Sequence, residues 1–185
     1  MLGRALGEQD AAQPADPRIH SLAQRDGAAA REPHLASWLA LNALAFADHP
    51  EQGRWTRADL DARLAEPWFD ASTLWVLDDE ASDDEASDGP AAASVWVKWP
   101  AGEAAEIYVL AAHPDRGGRG LGGRVLRHAL GEIARVGARD VELYVDGGNA
   151  AARRLYEREG FTVRTRDVRY TTSSRPADGG ATIGP

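Results

Sequence analysis

The feature that most constrains this chain is the stretch Pro114–Leu126, "PDRGGRGLGGRVL", with five glycines and three arginines in thirteen residues. It follows an apolar run, "AEIYVLAA", and precedes a helical pattern carried by Leu121, Val125, Leu126, Ala129, Leu130 and Ile133. A glycine-rich turn between a strand and a helix N-terminus presents backbone N–H groups that side chains would otherwise cover. The helix dipole adds to their attraction for anions. Arg116, Arg119 and Arg124 supply further positive charge. The stretch therefore predicts a phosphate-bearing ligand, against a turn whose glycines serve packing alone.

The elements around it define the fold class. "HLASWLALNALAF" reads as a buried helix, and Thr56 with Asp59 three residues on caps a short helix through Leu64. "STLWVLDD", "AAASVWVKW" and "AEIYVLAA" read as strands of an antiparallel meander. After the glycine stretch come a helix over about 119–136, the strand "DVELYV", a helix from Asn149 toward Gly160, and a last strand, "FTVRTRDVRYT". This order predicts an α/β chain with a mixed (α+β) sheet and some parallel pairing. The expected organisation is a disordered tail or linker over 1–32, one domain over 33–173, and a disordered tail over 174–185.

Two common phosphate loops fit poorly. The P-loop needs a terminal Gly-Lys-Ser/Thr, which is missing. Gly118, Gly120 and Gly123 spell G-x-G-x-x-G, but "HPDRG" separates them from the strand and an antiparallel meander precedes the unit. The third reading rests on two motifs. "VLAAHPDRGGRGLGGRVL" followed by "LYVDGGNAAARRLYEREGF" resembles the GNAT family of N-acetyltransferases, whose loop binds the pyrophosphate of acetyl-CoA. The second motif is met by Asn149, Ala152, Leu155, Tyr156, Gly160 and Phe161. One departure is Gly117 at a position where the family has Gln or Arg, with Arg116 adjacent.

Within that family, "WLALNALAFADHPEQGRWTRADLDARLAEPWFD" and "WVKWPAGEAAEIYVLAAHPDRGGRGLG" resemble the C-terminal half of the mycothiol synthases. Those enzymes acetylate the cysteinyl amine of Cys-GlcN-Ins. The resemblance implies a single GNAT-like domain, with acetyl-CoA as co-substrate and a small-molecule amine as acceptor. It implies that Leu110, Ala111 and Ala112 pair with the pantetheine arm where a β-bulge splays the strands. It also assigns cofactor contacts to Gly117, Gly118, Arg119, Gly120, Leu121, Gly122 and Gly123. Further cofactor contacts fall on Asn149, Ala150, Ala151, Ala152, Arg153 and Arg154. Substrate contacts fall on Glu51, Lys98, Glu106 and Tyr144. The synthases have two tandem domains and this chain has one. Another amine, such as a protein N-terminus or an aminoglycoside, and a non-catalytic half-domain or truncated fragment are therefore the alternatives.

Residue chemistry gives the roles. The chain has no cysteine, which excludes an acyl-thiol enzyme, disulfides and thiolate metal sites, and leaves direct attack in a ternary complex. Glu106, at the start of the strand entering the loop, is the candidate base, and Tyr156 the candidate acid for the leaving thiolate. His49 and His113 are read as structural. Trp55, Trp96 and Trp99 are candidates to line a sugar groove. The net charge of −8 is concentrated between Asp78 and Pro90, seven acids without a base, including "DEASD" twice in succession. That patch reads as a solvated hairpin loop; its spacing is not that of a calcium loop, and no metal is expected. A nucleic-acid partner is not expected from this charge, nor a membrane partner from a chain without a long apolar run. With no apolar segment of secretory type near the N-terminus, the expected location is cytoplasmic.

Overall fold

The computed structural model describes residues 1–25, 27–49, 52–78, 89–99 and 104–165. Twelve regular elements run through the described residues: β1 (Leu2–Ala5), α1 (Glu8–Ala11), β2 (Ile19–Ser21), α2 (Gly27–Ala45), α3 (Arg57–Leu64), β3 (Leu74–Leu77), β4 (Ala93–Lys98), β5 (Ala105–Ala112), α4 (Leu121–Arg135), β6 (Asp140–Leu143), α5 (Ala150–Arg158) and β7 (Thr162–Val163). They build a seven-stranded mixed sheet in the order β2-β3-β4-β5-β6-β1-β7. The meander β2 to β5 is antiparallel, and β5 pairs with β6 in parallel through the crossover helix α4.

Each face of the sheet buries its own cluster. On the α4 side, Val95, Val97, Ala105 and Ile107 meet Val125, Leu126, Ala129, Leu130 and Ile133, with Val141 and Leu143 from β6. On the α2–α3 side, Trp38, Leu41 and Leu60 meet Leu74, Val76, Trp96 and Val109. The apolar stripe of α4 follows from its 3.6-residue spacing. The α3 start is set by Thr56, whose Oγ1 accepts the Asp59 N–H while Asp59 Oδ2 accepts the Thr56 N–H at 2.7 Å.

The structure departs from the sequence reading at the N-terminus. Residues 1–25 are folded. β1 lies between β6 and β7, antiparallel to both, with Leu2 opposite Leu143 on one side and Val163 on the other. Leu2, Leu6, Ile19 and Leu22 are buried. The only buried acid there, Asp10, is matched by Arg4 at 2.7 Å and by the Gly7 N–H at 3.0 Å. Arg4 also donates to the Glu159 carbonyl at 2.6 Å, at the C-terminus of α5. Short apolar pairs among Gly, Arg and Ala carry no local period. Their order comes from partners about 140 residues away in sequence, and a reading of local pattern misses such pairing. The acidic patch between 79 and 88 and the segment after Thr165 lie outside the described residues.

Candidate active site

β5 is the strand on which the site is built. It pairs with β4 from Glu106 to Ala112, but the register slips: Val97 faces Ile107 and Trp96 faces Val109, so Tyr108 is the extra residue of a β-bulge. The bulge changes which face each later residue meets. Ala105 and Ile107 join the α4-side cluster, whereas Val109 and Ala111 join the aromatic one. The pairing with β6 ends at this point, at Ile107 opposite Leu143. Beyond it, among the described residues, Tyr108–Ala112 run on without a sheet partner on the β6 side. The bulge was expected near Leu110–Ala112 and lies two residues earlier, at Tyr108. The extended backbone of Leu110, Ala111 and Ala112 is thus the edge of an opening cleft, with N–H and C=O groups that must find partners elsewhere.

The glycine stretch closes one end of that cleft. Pro114–Arg116 form a single 3-10 turn, Gly118 and Gly120 take left-handed backbone (φ +78° and +70°), and α4 begins at Leu121 with no side-chain cap at Gly120. The first N–H groups of α4 therefore lack intrahelical acceptors and point to the loop side. A Cβ on Gly122 would stand 3.3 Å from Leu155 Cδ2, 3.6 Å from Leu110 Cδ2 and 3.9 Å from the Ala112 Cβ. β5, the start of α4 and α5 therefore converge at Gly122. Leu121 and Ala111 are buried, so only their backbones are available to a ligand.

Other expected contacts are sorted by their surroundings. Asn149 caps α5, its Oδ1 accepting the Ala152 N–H at 3.0 Å, and Ala152 packs on the core. Ala150, Ala151 and Arg154 are exposed, and Arg153 pairs with Glu157 one turn on at 3.6 Å. Arg124 is tied to the folded N-terminal segment. Its guanidinium forms a two-pronged ion pair with Asp16, one arm at 3.0 Å, which holds the Asp16 carboxyl below the usual range. The folded N-terminal segment supplies that carboxylate, and a sequence read without it assigns Arg124 to phosphate.

On the aromatic side, Lys98 stands directly opposite Glu106 across β4 and β5, and Glu142 opposite Glu106 across β5 and β6. Burial pushes the Glu106 carboxyl above the ordinary glutamate value; Lys98 opposes the rise and Glu142 adds to it. Tyr108 is two residues along on the same face. Its phenol is raised chiefly by burial, and its ring sits 5.1 Å from Trp68 and 5.5 Å from Trp96. The sequence reading missed Tyr108, because strict alternation in "EIYVL" does not reveal a bulge. Tyr144, just beyond β6, is 64% exposed beside the opening cleft. Tyr156 is buried in the α4-side cluster, 5.7 Å from the Phe161 ring, and burial pushes its phenol up to about 12. The two candidate proton carriers thus belong to opposite faces of the sheet, and the β5–β6 pairing ends at Ile107, next to Glu106.

Glu51 lies outside the described residues, but the residues around it are tied down. Buried Asn42 donates to the Gln52 carbonyl at 2.6 Å, and the Gln52 N–H donates to His49 Nδ1 at 3.0 Å. Of the tryptophans expected in a groove, Trp96 is fully buried and Trp99 packs on the α4-side cluster; Trp55 is partly buried, 6.0 Å from Trp38. Trp68, which the sequence reading did not single out, is partly exposed and packs on the aromatic cluster.

The chain is 50% identical over 126 residues to the mycothiol acetyltransferase of Beutenbergia cavernae, covering 68% of this chain and 40% of that protein. It is 50% identical over 141 residues to the mycothiol acetyltransferase of Kineococcus radiotolerans, covering 76% and 43%. The chain thus spans about two fifths of the length of the curated relatives it matches. Among solved structures, the ribosomal-protein-S18-alanine N-acetyltransferase of Escherichia coli superposes with a TM-score of 0.58 at 23% identity, covering 80% of this chain and 78% of that one. A GCN5-related N-acetyltransferase from Sphaerobacter thermophilus gives 0.61 at 21% identity, covering 88% and 47%. The sequence model of the Acetyltransferase (GNAT) family matches residues 35–161, from the middle of α2 to just past the end of α5, and the chain belongs to that family.

Proposed function

We propose that this chain transfers the acetyl group of acetyl-CoA to a primary amine, and that the amine is the cysteinyl amine of Cys-GlcN-Ins. The observation that carries the acetyl-transfer reading is the cleft opened by the Tyr108 bulge, with the glycine-rich start of α4 at one end and half-buried Glu106 at the other. The relatives named mycothiol acetyltransferase support the choice of amine.

The residues fit acetyl-CoA at three points. The α4 N-terminus and the left-handed glycines form a cradle for a pyrophosphate. The unpaired edge at Leu110–Ala112 matches an extended chain of amides, in the manner of an added strand. Arg153 and Arg154 put positive charge at the α5 end. Acetyl-CoA supplies an activated acyl group; the protein supplies position and proton transfer. Glu106, raised by burial, takes the ammonium proton so that the amine lone pair can attack. A backbone N–H of the Leu110–Ala112 edge stabilises the developing oxyanion. Tyr156, protonated across the working pH range, donates to the departing thiolate. Glu51, Lys98 and Tyr144 hold the acceptor. Without cysteine there is no acyl-thiol route, and direct attack with both substrates bound together is the natural alternative. Acetyl-CoA as co-substrate supports a cytoplasmic location.

The test is to mix the chain with acetyl-CoA and Cys-GlcN-Ins and follow the product by mass spectrometry, with Glu106→Gln alongside. Turnover lost in the variant is expected. No product, with acetyl-CoA still bound, would direct the search to another amine, the alanine terminus of a protein among them.

A further inference from the structure

Lys98 and Glu106 are directly opposed on one face of an antiparallel pair. Side chains so placed stand about 4.5–5.5 Å apart at Cβ, and a lysine stem easily spans that to form an ion pair. Among the described residues no ion pair joins them. The Lys98 ammonium lies instead over the Trp68 ring, 5.2 Å from its centroid. Trp68 follows α3 and is itself held, 5.7 Å from the Trp96 ring and 5.1 Å from the Tyr108 ring. The charged and titratable groups around Glu106 are Lys98 from β4, Glu142 from β6 and Tyr108 from its own strand, with Arg63 and Glu66 of the α3 region acting on Tyr108. Among the described residues Lys98 is the cation facing Glu106, and its charge opposes the rise that burial causes, so its position bears on how basic the carboxylate is.

We propose that Trp68 is a positioning residue for Glu106: its ring holds the Lys98 ammonium and keeps it from forming an ion pair with the carboxylate across the strands. An ion-paired carboxylate is a poor proton acceptor; one left to its half-buried setting is a better one. The catalytic meaning rests on the reading of Glu106 as the base, whereas the clamp itself does not. Trp68 thereby adjusts the pH at which the site becomes competent without touching the reacting atoms.

The experiment is a titration of the Glu106 side-chain carboxyl by carbon NMR in the full chain, its resonance assigned with Glu106→Gln. In Trp68→Leu the released ammonium reaches Glu106, and the midpoint falls by about one pH unit. Trp68→Phe keeps a ring and stays near the wild-type value. Lys98→Met raises the midpoint, and in that background Trp68→Leu leaves it unmoved. Where Trp68→Leu does not fold, Trp68→Met replaces it, retaining bulk without a ring. The acid limb of kcat/KM follows the same order. A midpoint that stays put or rises in Trp68→Leu overturns the proposal, as does an equal fall in the Lys98→Met background. Full activity in Glu106→Gln would remove the base reading alone, because the titration reads the carboxyl without turnover.

Discussion

The two faces of the sheet are packed with different chemistry. The α4 side is mainly aliphatic, with the rings of Trp75, Tyr156 and Phe161 among its buried members and Trp99 packed against it. The α2–α3 side is a network of rings, Trp38, Trp55, Trp68, Phe69, Trp96 and Tyr108, several in edge-to-face contact at 5–6 Å. The aliphatic side interlocks closely enough to fix one helix start against one strand, as the glycine at 122 requires. The aromatic side carries costs that a plain core avoids: the indole N–H groups of Trp38 and Trp96 are buried without partners among the described residues. Its outer members, Trp68 and Tyr108, reach the surface where Lys98 and Glu106 stand. In the proposed function, one face holds the acetyl-CoA and the other shapes the setting of the Glu106 carboxylate.

That contrast can be broken from either side. The largest effect is expected from Glu106→Gln, which should lower kcat by about 10²–10⁴-fold while the KM for acetyl-CoA stays unchanged, because the carboxylate belongs to the aromatic face. Steady-state kinetics with both substrates varied would read the split. The pH profile sharpens it. Burial raises the Glu106 pKa, so the working carboxylate appears only above the ordinary glutamate value, and kcat/KM should fall on acidification at a higher pH than a solvent-exposed glutamate gives.

Trp96→Ala should destabilise the fold by about 3–5 kcal/mol by leaving a cavity among the rings. Denaturant unfolding would measure it. Loss of acetyl-CoA affinity in folded Trp96→Ala protein would show that the two faces are not separable. A smaller effect is expected from Gly120→Val, where a side chain must enter left-handed backbone at a cost of about 1–2 kcal/mol. Isothermal titration should show weaker acetyl-CoA binding, with amine affinity kept.

The smallest effect tests the N-terminal strap on the α4 face. Asp16→Asn should cost about 1 kcal/mol by removing the Arg124 ion pair. The pH dependence has a definite sign. Asp16 titrates lower in the folded state, so its contribution is present above the ordinary aspartate pKa and is lost as pH falls through the folded value. His128 acts in the same direction. Its Nδ1 accepts the Asp16 N–H at 3.2 Å and burial lowers its pKa, so folding loses stability as pH falls below 6.5. Melting curves between pH 7 and pH 4, with and without Asp16→Asn, would separate the two.

Local sequence by itself determined a good deal of this protein. Thr56 with Asp59, Asn149 with Gly160, and the apolar stripe of α4 are short-range signals, and the helices start and stop where they direct. The glycine stretch between "AEIYVLAA" and that stripe marked the candidate ligand-binding end of the sheet, because positive φ and missing side chains leave few other uses. Tertiary structure alone decided three things. The bulge at Tyr108 depends on how β4 and β5 register, and it set which side chains share a face. The slot between β6 and β7 is filled by Leu2–Ala5, whose order depends on partners far along the chain. Arg124 and Lys98 found their partners, Asp16 and Trp68, only across that assembled framework. Capping and helical periodicity act within a turn or two and are written in neighbouring residues. Register and charge pairing are settled by which distant surfaces meet, and only the folded chain specifies that.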